Sequence, residues 1–139
     1  MGVDVRRHLA VTLTSILKSA WTSLFESGPP RPYRDRPCQG GAWRQRFPDA
    51  PKQEIRNFLS TFAKGFAYRD SEKLKFGPED GLLRIYRAHY PSKWLPDALE
   101  IETLAILIQK RYGVALSKVW SDNLTLGQLF QSTRRVNDA

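Results

Sequence analysis

The apolar positions of the chain recur with the period of an α-helix, and the clearest case is the stretch 97–116. Its apolar side chains fall every three or four residues, which is the pattern of a helix that packs one stripe against a core. Asp97 is placed to cap the first turn with Glu100 three residues later, and Gly113 is suited to the left-handed conformation that ends a helix. The stripe consists of Ile101, Leu104, Ala105, Ile108 and Tyr112.

The same period predicts further helices on either side of this one. One helix is expected over residues 55–66, another over 80–90, and a third from the capping box formed by Thr125 and Gln128. A weaker amphipathic pattern over residues 5–25 predicts an N-terminal helix. Because no alternating strand pattern is found, we expect an all-α fold, a small bundle of four to five helices preceded by the amphipathic helix.

Between the N-terminal helix and the bundle, residues 27–50 follow no period. Five prolines and three glycines in this stretch predict a linker or long loop instead of a helix or strand. The expected organisation is therefore an N-terminal helix (1–26), a linker (27–50), a helical domain (51–134) and a frayed tail (135–139).

Composition and charge narrow the class of protein. The 139 residues are 41% hydrophobic and 26% charged, which is typical of one soluble globular domain. The sequence contains no apolar run of about 18 residues, so no membrane span is predicted. The single cysteine, Cys38, excludes an internal disulfide framework and favours a reducing, cytoplasmic location. A net charge of +8 favours polyanionic partners.

The region predicted as a linker also alternates arginines with aromatic residues. Arginine pairs with phosphates, and aromatic rings stack on unpaired bases, so this pattern suggests a nucleic-acid interface as an alternative to a solvated linker. No RNA-binding motif, zinc knuckle or helix-turn-helix pattern accompanies it. The candidate residues are Arg31, Arg34, Arg36, Trp43, Arg44 and Arg46.

Catalytic and metal-binding patterns are not found. The two histidines, His8 and His89, lie in different predicted helices, without the spacing of metal ligands or of a nucleophile and its base. Gly40 and Gly41 form a lone pair and not a phosphate-binding loop. We therefore expect a protein that is not an enzyme and that has no cofactor and no metal site.

Residues 52–131 resemble the acyl carrier protein family. In that family the second long helix of a small bundle begins at a D-S-L-[ED] motif, whose serine carries the phosphopantetheine arm. The corresponding run here is Asp97, Ala98, Leu99 and Glu100, and the stretch Leu124–Leu129 is similar to the start of the family's last helix. The resemblance implies a carrier-like helical bundle.

The sequence departs from the family where the chemistry takes place. Ala98 has no hydroxyl group, so a phosphodiester to pantetheine cannot form at this position. Ser92 lies six residues upstream and is not a substitute. Carriers are also typically acidic along this helix, whereas this chain is basic overall. The resemblance therefore implies recognition by a protein partner without the attached cofactor.

Our first hypothesis is a non-catalytic, carrier-like protein-interaction module. Its recognition surface would be the loop 92–95 together with the start of the helix. The alternative is a basic nucleic-acid- or ribosome-associated protein that uses residues 31–47, and a minor alternative is a functional acyl or peptidyl carrier. The partner-binding candidates are Trp94, Asp97, Leu99, Glu100 and Glu102.

Overall fold

The computed structural model describes residues 28–89 and 99–138, and this part of the chain is helical. Its one β pairing is a single antiparallel bridge between Gly81 and Thr125. The prediction of an all-α fold is therefore confirmed. The elements are α1 (Gly40–Arg46), α2 (Lys52–Gly65), a 3₁₀ helix (Asp70–Lys75), α3 (Leu82–His89), α4 (Leu99–Tyr112), α5 (Leu116–Val119) and α6 (Leu126–Asp138).

Helix α4 lies at the centre of the bundle. It packs against α2, α3, α5 and α6. The stripe predicted from its sequence faces the core, with Ile101, Leu104 and Ile108 fully buried. The closest approach is to the end of α2, where a Cβ atom added at Gly65 would lie 2.9 Å from the Cα of Leu104. Because Gly65 has no side chain, the end of α2 can pack directly against Leu104 of α4.

The predicted helix ends are present where the structure describes them. Gly113 has a φ of 72° and donates its N–H to the Gln109 carbonyl, which ends α4 as expected. Thr125 and Gln128 form the reciprocal capping box of α6, with backbone-to-side-chain distances of 3.0 and 3.1 Å. The cap predicted at Asp97 lies outside the described residues, as does the helix predicted over 5–25.

The prediction of a linker at 27–50 is wrong for residues 28–50. Helix α1 forms inside this segment, and Tyr33, Trp43 and Phe47 are buried in the core. The indole N–H of Trp43 donates to the Phe76 carbonyl at 2.8 Å, so its polar atom is satisfied inside the protein. These three buried aromatic side chains attach the segment to the core, although its prolines and glycines are typical of a linker.

Aromatic rings from distant parts of the chain meet at this position. Phe130 of α6 makes edge contacts with Trp43 and Phe47, with centroid separations of 5.7 and 4.9 Å. Phe58 of α2 packs against the same Phe130 ring at 5.3 Å. Edge-to-face and tilted pairs at these separations contribute energy beyond the area that they bury. The aromatic cluster thus joins α1, α2 and α6.

Two smaller findings concern the polar segments of the chain. Residues Asp70–Lys75 form a 3₁₀ helix that the sequence pattern does not indicate. Helix α6 continues to Asp138, so it includes most of the segment 135–139 that the sequence predicts as a frayed tail; the fraying itself stays a prediction.

Replacing Trp43 by alanine tests whether residues 28–50 belong to the core. Because Trp43 is 1% exposed, we expect Trp43→Ala to lower the free energy of unfolding by about 3 to 5 kcal/mol. The exposed neighbour Arg44 provides the control, and Arg44→Ala should change stability by no more than about 0.5 kcal/mol. Denaturant unfolding measures both. Equal, small effects would show that this segment is a linker after all.

Replacing Gly65 by alanine tests the close contact between α2 and α4. The added methyl group would meet the backbone and Cβ of Leu104, neither of which moves without shifting α4, so we expect a loss of about 1 to 3 kcal/mol. Gly41 of α1 has no atom within 4 Å of the corresponding position, and Gly41→Ala should therefore stabilise the protein by up to about 1 kcal/mol. A thermal unfolding series distinguishes the two, and a neutral Gly65→Ala variant would contradict the packing.

Candidate functional site

The predicted partner-binding residues at the start of α4 are little exposed where the structure describes them. Trp94, Asp97 and the neighbouring Ala98 lie outside the described residues. Of the others, Leu99 is half-buried, and Glu100 and Glu102 are only 6% and 7% exposed. Both glutamates take part in interactions within the structure. The structure therefore leaves little of Glu100 and Glu102 exposed, and their role in binding a partner stays a prediction.

The residues predicted to bind nucleic acid are divided between core and surface. Trp43 is buried together with Tyr33 and Phe47, so none of these rings is accessible for stacking on a base. The exposed candidates are Arg31, Arg34, Arg44 and Arg46, whereas Arg36 is half-buried.

Two of these arginines are engaged in ion pairs. Arg46 pairs with Glu79 at 2.5 Å, and Arg36 donates two hydrogen bonds to Asp80. The stacking half of the nucleic-acid hypothesis is wrong because Tyr33, Trp43 and Phe47 are buried. Its electrostatic half rests on Arg31, Arg34 and Arg44.

A surface groove of about 500 Å³ lies where three segments of the chain meet. The segment from Pro32 to Arg36 forms one side, the start of α3 with the turn before it forms the second, and the turn from Asp122 to Thr125 before α6 forms the third. We call it the α3 groove. Leu83 contributes apolar surface to it, and the remaining lining is mostly polar or charged.

Asp80 fixes the shape of the α3 groove. Its carboxylate accepts hydrogen bonds from both Nη groups of Arg36, at 2.6 and 2.7 Å, and from the backbone N–H of Gly77, at 2.6 Å. Its backbone carbonyl accepts the N–H of Leu126 at 2.9 Å. A bidentate pair of arginine and carboxylate combines charge with fixed geometry. Asp80 thus links the segment around Arg36 to the first residue of α6.

The pKa values of the neighbouring groups reflect this arrangement. The hydrogen bond from Arg36 to Asp80 raises the pKa of the Arg36 guanidinium, so this group stays charged. Burial raises the pKa of the Tyr33 phenol, and the Asp80 charge adds to the effect, against the opposing influence of Arg36 and Arg84. At neutral pH the α3 groove therefore contains a neutral phenol beside a charged, internally paired arginine.

Arg84 and Arg87 are two arginines of the α3 groove that are not among the residues predicted from the sequence. Both are exposed, and neither has a hydrogen-bond or ion-pair partner within the described residues. Their spacing of three residues places them next to each other on one face of α3. The R-x-x-R spacing on the polar face of this helix is the signal in the sequence that indicates them.

The described residues also carry two negative findings. No group of three or more His, Cys, Asp or Glu side chains in this part of the chain is placed to bind a metal ion. None of the helices in these ranges is long and apolar enough to cross a membrane. Comparisons of the chain with protein-family models, with curated protein sequences and with solved structures find no match.

Double-mutant cycles on the two ion pairs test which of them shapes the α3 groove. The side chains of Arg36 and Asp80 are 31% and 10% exposed, and we expect a coupling energy of at least about 1.5 kcal/mol for Arg36→Gln with Asp80→Asn.

The pair between Arg46 and Glu79 is the matched control. Its side chains are 40% and 75% exposed, so solvent screens the attraction and the coupling should stay below about 1 kcal/mol. Unfolding in denaturant measures both coupling energies. A coupling at Arg36 and Asp80 no larger than the control would show that this pair does not fix the groove.

Proposed function

We propose that this chain is a non-catalytic, carrier-like helical protein that acts as a protein-interaction module and lacks the phosphopantetheine attachment serine. The proposal rests on the resemblance of residues 52–131 to acyl carrier proteins. One structural observation supports it: the helices that correspond to the family's bundle are packed together in one unit, with α4 in contact with α2, α5 and α6.

The local structure around the motif is compatible with this reading. The described part of α4 begins at Leu99, the third residue of the run that corresponds to the D-S-L-[ED] motif. The capping box at Thr125 begins the last helix at the position that the resemblance implies. The alanine at position 98 has no side-chain oxygen to which a phosphopantetheine arm could be attached.

Enzymatic modification tests the proposal directly. The wild-type protein, incubated with a phosphopantetheinyl transferase and coenzyme A, should keep its mass, because Ala98 has no hydroxyl group. The Ala98→Ser variant should gain one phosphopantetheine arm if the transferase recognises the surrounding surface. Intact-mass spectrometry measures both.

The control is the double variant Ser92→Ala/Ala98→Ser, which should be modified as well and so place the arm at residue 98. An Ala98→Ser protein that has the circular dichroism of the wild type and remains unmodified would contradict the carrier-like recognition surface. A modified wild-type protein would instead support a functional carrier with its attachment point elsewhere.

A further inference from the structure

The charges of the α3 groove are unevenly compensated. Asp80 is neutralised by Arg36, and Glu79 is neutralised by Arg46. Asp122 accepts a weak hydrogen bond of 3.3 Å from the indole of Trp120. Arg84 and Arg87 have no partner within the described residues. After the internal pairs are set aside, two guanidinium groups face one carboxylate, and the groove is left with a positive excess.

Two adjacent arginines are suited to bind carboxylates. A guanidinium group presents a planar set of donors that matches a carboxylate in a bidentate manner. Residues three apart on a helix have Cβ atoms about 5 to 6 Å apart, so Arg84 and Arg87 can each bind a separate carboxylate of one extended chain. The partly apolar surface of Leu83 and the side-chain amide of Asn123 lie beside them in the groove.

We propose that the α3 groove binds an acidic peptide segment of a partner protein, with Arg84 and Arg87 pairing with its carboxylates. The inference rests on the proposed function only in that the partner is a protein. It uses a different surface from the start of α4, where Glu100 and Glu102 are buried.

The groove favours an acidic peptide over a nucleic acid for two reasons. A continuous phosphate backbone would pass the Asp122 carboxylate, which is exposed and would repel it. Base stacking would need an accessible ring, and Tyr33, the aromatic residue of the groove, is buried. A peptide can place its carboxylates at the arginines and neutral residues near Asp122.

The test is a binding titration on the full-length chain with a fluorescently labelled, glutamate-rich peptide at low ionic strength. We expect saturable binding, a rise in anisotropy that a glutamine-substituted peptide does not produce, and weakening with added salt. The double variant Arg84→Gln/Arg87→Gln should bind at least about tenfold more weakly, since hydrogen bonds to charged groups contribute more than 1.4 kcal/mol per pair in favourable cases.

The matched control is Arg44→Gln/Arg69→Gln, which removes the same charge at two exposed arginines outside the α3 groove. It should change the affinity by no more than about twofold. Equal losses in the two double variants would overturn the proposal, because binding would then follow net charge alone. Circular dichroism confirms that both variants are folded.

A single-stranded oligonucleotide of equal charge serves as the competitor. If it binds more tightly than the peptide and depends on Arg84 and Arg87, the groove is a nucleic-acid site and the proposal is wrong. Failure here is distinct from failure of the proposed function: modification of Ala98→Ser does not involve the α3 groove, and it should be unchanged in an Arg84→Gln/Arg87→Gln background.

Discussion

The carboxylate of Asp80 is the constraint on which much of this structure depends. It is 10% exposed, and a charge that is largely removed from water must be compensated by nearby donors. Arg36 and the Gly77 backbone supply them, while the Asp80 carbonyl binds the first residue of α6. Three segments far apart in sequence are thereby brought to one point, which determines both the position of residues 28–50 and the opening of the α3 groove.

The parts of the fold that were predicted correctly are those that depend on neighbours in sequence. The stripe of α4, the left-handed Gly113 and the capping box of Thr125 and Gln128 all express interactions between residues at most four apart. Such interactions are visible in the sequence because helix geometry fixes which residues meet. They were sufficient for the fold class and for the helices of the bundle.

The parts that were missed depend on long-range contacts. The partner of Trp43 is a backbone carbonyl 33 residues away, and the partner of Arg36 is 44 residues away. No local sequence pattern indicates either of these long-range contacts. The prolines and glycines therefore predict a linker where the structure has a folded segment. The candidate site also depends on long-range contacts. The burial of Glu100 and Glu102 depends on the surroundings of α4 in the fold. Arg84 and Arg87 are accessible because the carboxylates of Asp80 and Glu79 pair with Arg36 and Arg46 instead.

These long-range pairs also bear on how quickly the protein folds. Helical proteins usually fold fast because most of their contacts are local. Here Arg134 of α6 pairs with Glu54 of α2 across 80 residues, and Phe130 meets Trp43 in the aromatic cluster. The chain must close these large loops before the core is complete, which costs entropy early in the reaction. The barrier to folding should therefore be set by the docking of α1 and α6, and not by the formation of the individual helices.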